Sequence, residues 1–506
     1  MSVRILYSKL SDILTEANHL RSINTVLDWD QQVMMPNKSA EARGKQMATL
    51  AGILHEKNTN PEIGRLLSEL EDPKNEKDIK SSLNVWELAN IRDARRNFNK
   101  ATKITKELAQ KEALLSSKGY NTWVEAKKDN DFNKFAPIIK EWIIIKQEIA
   151  KCIDSEKNSY DVLLDDYERG LTSSRLEEIF KNVKSVLVPL IEDIKQKSIP
   201  DTSFLQPPFP VSKQIEFNQG IAKTLGFDTE SGRLDVSAHP MTIDIHPTDV
   251  RMTTRYKEED LFEGITGTVH ETGHALYEQG RNKEYACLPV SSALSMGIHE
   301  SQSLTWERMV GLSEEFWEYY TPILTSIFTT IPKETTHIQM WKAINKVQPG
   351  LIRVESDEVT YPMHIILRYE IEKGLMDGSI QVEDLPRLWN EKMEKYLGVK
   401  VPNDASGVLQ DVHWSLGLIG YFPTYLLGAI YATQFFKKAE KDIPQLYKEF
   451  KVGNFSSLRN WLLENIHQKG SLIPSGDLLC KEVTGEILNP DLFTSYLKDK
   501  YTKVYQ

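Results

Sequence analysis

The chain has 506 residues, 26% charged and 40% hydrophobic, with a formal net charge of -10 and a pI near 5.7. That is the balance of a globular enzyme and not of a nucleic-acid binder, which would carry a basic face. A strict length prior suggests about three domains, yet no Gly/Ser-rich or Pro-rich linker, low-complexity tract or repeat divides the chain, so 1–506 reads as one domain.

Residues 1–20 mix Arg4, Lys9, Asp12 and Glu16 into their apolar positions, so no signal peptide is visible. Cys152, Cys287 and Cys480 are widely spaced and odd in number, which argues against a disulfide framework. A reducing, cytoplasmic setting is expected. The first half then reads as helix after helix. Leu6, Leu10, Ile13 and Leu14, and later Leu66, Leu67 and Leu70, keep three-and-four spacing, while Asn60-Pro61 and Asp72-Pro73 punctuate the segments. Segments 84–114, 138–153 and 174–199 repeat the pattern.

Between 227 and 256 the period changes. Val236, Met241, Ile243, Ile245, Val250 and Met252 alternate with polar residues, bounded by His239-Pro240 and His246-Pro247, which predicts short antiparallel strands. An edge strand there could hold a peptide backbone in extended form. His239 and His246 are then either neighbours of a site or turn histidines beside proline.

The next stretch, His270-Glu271-Thr272-Gly273-His274, carries the chemistry. On a helix, positions i and i+4 share a face, so His270 and His274 can converge on one ion with Glu271 beside the open position. In the H-E-x-x-H pattern the metal acidifies a water and the glutamate takes its proton. Leu261, Ile265, Val269 and Leu276 support the helix, acidic residues 258–260 suit its N-terminus, and Gly280 sits where a C′ glycine would end it. Gly273 costs about 1 kcal/mol in a helix interior and implies close packing or a nearby substrate. A catalytic zinc needs a third protein ligand, and Glu300, in His299-Glu300-Ser301-Gln302 on a second helical segment, is the candidate. Zinc suits such a His₂Glu set, with cobalt or manganese as alternatives.

Beyond it the chain returns to helices. Ile352-Arg353-Val354-Glu355-Ser356-Asp357 and Gly407-Val408-Leu409-Gln410-Asp411-Val412-His413-Trp414 concentrate polar and aromatic groups suited to a site wall. Segment 416–436 is uncharged and long enough to span a bilayer, but its glycines, Pro423 and tyrosines favour a buried helix preceded by a functional loop, so no membrane partner is expected. From 437 onward the sequence is amphipathic and reads as structural.

These blocks, in this order, resemble the carboxypeptidase Taq type of metallocarboxypeptidase along most of the chain. Asp249-Val250-Arg251-Met252-Thr253 is similar to its D-x-R-x-T, residues 299–302 to its H-E-S/G-Q, and 407–414 to its G-x-x-Q-D-x-H-W. Trp29-Asp30 through Met35-Pro36, Trp123 with Asp131-Phe132, Tyr160-Asp161 through Glu168, and Gly232 to Asp235 add to the likeness. Two blocks depart from it. His239-Pro240-Met241 stands for H-P-F, and Ser356 replaces the alanine of I-R-x-x-A-D. The resemblance implies a mainly α, two-lobed fold with a long groove, to which the alternating segment adds a small antiparallel sheet beside the metal helix. It also implies a homodimer and removal of single C-terminal residues from peptides with broad specificity. By analogy with related helical metallopeptidases, His413, Tyr421 and Tyr425 are donors to the tetrahedral intermediate. Arg353, and after it Arg251, is expected to read the substrate's terminal carboxylate, and His239, Gln302 and Gln410 to line the substrate path. From the residues alone, an endopeptidase, a dipeptide-releasing enzyme and a helical scaffold stay open.

Overall fold

Local chemistry marks where the helices begin. Pro61 occupies the first turn of Pro61–Leu70 while the Asn60 side chain accepts from Glu62 N, and Asn84 and Glu87 cap Val85–Lys103 reciprocally. Asp260 accepts from Phe262 N and Glu263 N at the start of Leu261–Gln279, the metal helix. In the computed structural model, which describes residues 2–506, such helices account for nearly all regular structure.

They gather on two main cores, with two smaller clusters beside them. Leu6, Leu10, Leu66, Leu67 and Ile91 form one among the N-terminal helices, which include Val3–Val33, Pro61–Leu70 and Val85–Lys103. The larger core runs from Leu108 to Val504 and encloses the metal helix on its apolar side through Leu261, Ile265, Val269 and Leu276. Helix Pro423–Asp442 is buried inside this core along most of its length. None of the described helices is long and apolar enough to cross a membrane.

The sheet is mixed, not antiparallel throughout. Strands β1 (Gly232–Val236), β2 (Met241–His246) and β3 (Asp249–Thr254) lie in the order β1-β3-β2. The short 237–240 link and the Pro247-Thr248 turn each reverse the chain, so β3 enters between the other two, antiparallel to β2 and parallel to β1. Two reversals restore the starting direction. β2 is thereby left as an edge strand beside the metal helix.

Gly280 ends the metal helix for a reason other than backbone handedness. Its φ of -86° is ordinary, but a Cβ there would lie 2.8 Å from His467 Cβ. Close packing selects the glycine.

The ligand helix, Met296–Leu304, is anchored at its start by Glu168, whose Oε2 accepts from Gly297 N and whose Oε1 takes the Tyr431 hydroxyl. Burial raises Glu168 from 4.5 to about 7. The folded chain keeps this proton to about 7 whereas the unfolded chain releases it near 4.5, so the folded state binds more protons between those values and this group's contribution to stability falls as pH rises through them. Glu168→Gln should therefore flatten the decline of Tm between pH 5 and pH 7.5 relative to wild type. Parallel melting curves check this, and an unchanged slope would contradict it.

Candidate metal centre

The metal helix presents His270, Glu271 and His274 toward β2 on one side and the ligand helix on another. Glu300 Oε2 lies 3.9 Å from His270 Nε2 and 3.5 Å from His274 Nε2, and the three donor atoms fall within 4.8 Å of one another. Both sides of the ligand helix come close because glycine faces it. A Cβ on Gly273 would stand 2.6 Å from Gln302 O, and one on Gly428 2.6 Å from Glu300 Cγ. The Gly273 of the sequence motif thus marks helix packing.

Both imidazoles are held from behind. His270 Nδ1 meets Glu307 Oε2 at 2.7 Å, which leaves Nε2 to face Glu300. Glu307 comes from the π-helical turn Thr305–Gly311. Among the described residues His274 has no partner at Nδ1, and it is held by stacking on His299 at a centroid distance of 4.3 Å. His299 in turn bonds Glu278 at 2.9 Å, and Glu278 pairs with Arg281.

Electrostatics leave the set ready for a cation. Burial works against ionising Glu300, yet His270 and His274 hold it down at about 2; burial beside His299 drops His274 to about 4, so that imidazole is neutral. Burial pulls His270 down, but Glu300 and Glu307 outweigh it and lift it to about 10. A buried site with two carboxylates gripping one imidazolium is one where a divalent ion can replace the proton. The donor set, two imidazole nitrogens and a carboxylate, fits zinc-type coordination with open positions.

Glu271 is buried, and Thr242 Oγ1 of β2 lies 2.6 Å from its Oε2. Burial raises its pKa, with Thr242 and His270 opposing. That moves a carboxylate toward the range where a general base is useful near neutrality.

A second group of residues stands further along the wall. Arg353 Nε donates to Asp411 Oδ1 at 2.9 Å and Nη1 to the Tyr361 hydroxyl at 2.9 Å, while its guanidinium lies 5.0 Å from the Tyr425 ring centre. Arg353 forms no ion pair with Glu355, Asp357 or Glu358, its acidic neighbours in sequence. Asp411, 58 residues away, takes that place and also binds Arg368 at 2.7 Å. Burial would raise Asp411, but Arg368 and Arg353 hold it far below the carboxylate range. Gln410 accepts from Arg353 N and from Arg368 Nη2, each at 2.9 Å, so it fixes the Arg353 backbone.

His413 Nε2 lies 3.1 Å from the Tyr425 hydroxyl, and its ring packs on Phe422 and near Tyr421. Burial lowers it to about 3 against the pull of Asp411, which keeps it neutral. Burial raises Tyr421 to about 12 with the Glu300 charge adding to it, so the tyrosines and the metal ligands share one field. His239 lies at the surface of the 237–240 link, where partial desolvation and the charges of Arg255 and Arg353 lower it, at the edge of the same region.

Two expected site residues point elsewhere. Arg251 forks onto Asp249 at 2.8 Å and lies 5.9 Å over Trp29. Strand alternation puts it on the face opposite Met252 and Thr242, the residues that touch the metal helix. Gln302 is fully enclosed, bonded to Ser301 at 2.8 Å and to His467 at 3.0 Å, because two helical steps turn it about 200° from Glu300. His246 is a turn histidine, bonded to Thr248 Oγ1. Thr242, Glu307, Tyr361 and Arg368 were not singled out by the sequence; Glu307 carried a readable signal, a second carboxylate seven residues after Glu300.

Comparison with known proteins agrees with this geometry. Residues 9–501 match the model of the carboxypeptidase Taq (M32) metallopeptidases. The chain is 40% identical to "Thermostable carboxypeptidase 1" of Thermus thermophilus and 35% identical to "Carboxypeptidase 1" of Bacillus subtilis, each over all of both chains. It superposes on the crystal structure of an M32 carboxypeptidase from Deinococcus radiodurans with a TM-score of 0.95 at 32% identity, covering 99% of each chain. Metallocarboxypeptidase 1 of Trypanosoma cruzi gives a TM-score of 0.93 at 37% identity, again over 99% of each.

If Glu300 is the third ligand, Glu300→Ala should purify with much less bound metal than wild type, whereas Glu271→Gln should keep a wild-type complement. Elemental analysis of the two variants side by side decides it. Equal metal in Glu300→Ala would place the third ligand elsewhere.

Proposed function

The chain belongs to the carboxypeptidase Taq (M32) family of metallopeptidases, and from that premise we propose that it removes single C-terminal residues from peptides with broad side-chain tolerance. In this reading a divalent cation, zinc by preference, sits on His270, His274 and Glu300, and Glu271 is the general base. The observation that carries the exopeptidase reading is Arg353. It is buried with Nε on Asp411 and Nη1 on Tyr361, and among the described residues its Nη2 has no hydrogen-bond partner. An immobilised guanidinium with a spare donor, in the same field as the metal ligands, is suited to a substrate carboxylate. A homodimer is part of this reading on the resemblance alone, and three free cysteines support a reducing, cytoplasmic setting.

When bound, the ion supplies an acidified water and polarises the peptide carbonyl. Thr242 holds Glu271 at Oε2, which leaves Oε1 to accept the proton of the attacking water and later to pass it to the leaving amine. β2 is an edge strand, and an extended substrate can lie along such an edge. Arg353 fixes the chain end. His413, neutral at working pH, and the hydroxyls of Tyr421 and Tyr425 supply donors to the oxyanion.

Glu271→Gln preserves shape and cannot accept a proton, so kcat should drop by roughly 10² to 10⁴ with metal content unchanged. Turnover near wild type would remove Glu271 from the mechanism.

Arg353→Met should lower kcat/KM for free-acid peptides by about 2 kcal/mol or more, the scale of a lost charged hydrogen bond. Asp411 stays paired through Arg368, so folding and metal content should persist. Rates on a free-acid peptide and its C-terminal amide measure this. A variant that still prefers the free acid as strongly as wild type would show Arg353 to be structural.

A further inference from the structure

Helix Tyr361–Asp377 presents three groups along one stripe, because residues seven and four apart return to nearly the same face. Tyr361 bonds Arg353, Arg368 bonds Asp411, and the third, Glu372, has no part in the mechanism above. It is buried to 1% exposure and accepts three hydrogen bonds. Oε1 takes Trp414 Nε1 at 2.9 Å, and Oε2 takes Gly420 N at 2.9 Å and the Tyr160 hydroxyl at 3.0 Å.

The two loop bonds fall on informative residues. Trp414 directly follows His413, and Gly420 directly precedes Tyr421. One carboxylate therefore grips the 413–421 loop at both ends, each oxygen on an N–H that can only donate. Between them the loop is fitted to its surroundings. Gly417 (φ +69°) packs against the Trp142 ring and Gly420 (φ +92°) against the Leu163 backbone, both in the left-handed region. Trp142 Nε1 also donates to Ser415 O at 3.2 Å.

We infer that Glu372 is a positioning residue that sets the separation of His413 and Tyr421, whose ring centres stand 5.6 Å apart, and so aligns the oxyanion donors without touching the substrate. This rests on the proposed roles of His413 and Tyr421. Neither Gln nor Met could replace it. Glutamine must turn its NH₂ toward one of the two N–H donors, and methionine offers no oxygen at all.

The test is Glu372→Gln in wild-type and His413→Ala backgrounds, with kcat normalised to bound metal. A misplacement of about 1 Å in a catalytic group can cost 10² in rate, so kcat should fall on the order of 10- to 100-fold while KM for a free-acid peptide, which depends on Arg353, moves less than about twofold. In the His413→Ala background the same substitution should have little further effect, as expected of a residue acting through another. Glu372→Asp, which keeps both acceptor oxygens, should recover part of the rate. Should Glu372→Gln fail to fold, Tyr160→Phe removes one bond to the carboxylate and touches neither donor; a loss of a few fold that also disappears in His413→Ala supports the inference. An unchanged kcat, or an equal loss in both backgrounds, overturns it. A wild-type rate for His413→Ala alone would instead show that the underlying assignment of His413 has failed.

Discussion

Glu300 reaches the two histidines only because the helix that carries it runs between two others with no side chain in the way. Gly273 of the metal helix meets the backbone of Gln302 and Ser303, and Gly428 of helix Pro423–Asp442 meets Glu300 itself. A methyl group at either place would need a space that does not exist, and overpacking of this kind costs about 1–3 kcal/mol. More than stability depends on it. A shift of the ligand helix by the width of a methyl would take Glu300 out of coordinating reach of both imidazoles at once. The roughly 1 kcal/mol that Gly273 costs its helix is thus the condition for having a three-residue site at all.

Much of the charge buried around the site is paired. Glu300 and Glu307 hold His270, Glu278 holds His299 and Arg281, and Asp411 holds Arg353 and Arg368. Removing one member of such a pair commonly costs 3–5 kcal/mol, because the other is left uncompensated in a poor solvent for ions. Asp411 is protected from this by having two arginines. The lightest supports belong to Glu271, with a single threonine, and to His274, which leans on a stacked ring instead of a hydrogen bond.

Much of this was legible in the chain. The i, i+4 histidines and the acidic residue on a second helix follow from helical geometry, and the helical class follows from three-and-four spacing. What the sequence could not show is of two kinds. Long-range pairings leave no local trace: Asp411 lies 58 residues from Arg353, and Gly428 lies far along the chain from Glu300. The second kind is orientation. Gln302 and Arg251 sit in the right blocks but two residues from Glu300 and one from Met252, and in a helix and a strand those offsets turn a side chain away. Strand direction was hidden for a similar reason. Alternation identifies a half-buried strand but carries no information on whether its neighbour runs parallel or antiparallel, and only the insertion of β3 between β1 and β2 decides it.

The two ends of the site are joined by one ring. Arg353 donates to the Tyr361 hydroxyl, the Arg308 guanidinium lies 5.3 Å from the same ring centre, and Glu307, next in the chain to Arg308, orients His270. In the proposed reading this joint sets the length of the product. A carboxypeptidase that releases one residue must hold the terminal carboxylate and the scissile carbonyl a single residue apart, a span of about 3.5 Å along an extended chain. An error of one residue would change the product to a dipeptide. Surface side chains move too freely to hold such a spacing, whereas Arg308 and Arg353 both lie against the Tyr361 ring and Glu307, next in the chain to Arg308, is bonded to His270. The burial of these charges, costly for stability, is what makes the distance between carboxylate reader and metal ligands a fixed property of the fold.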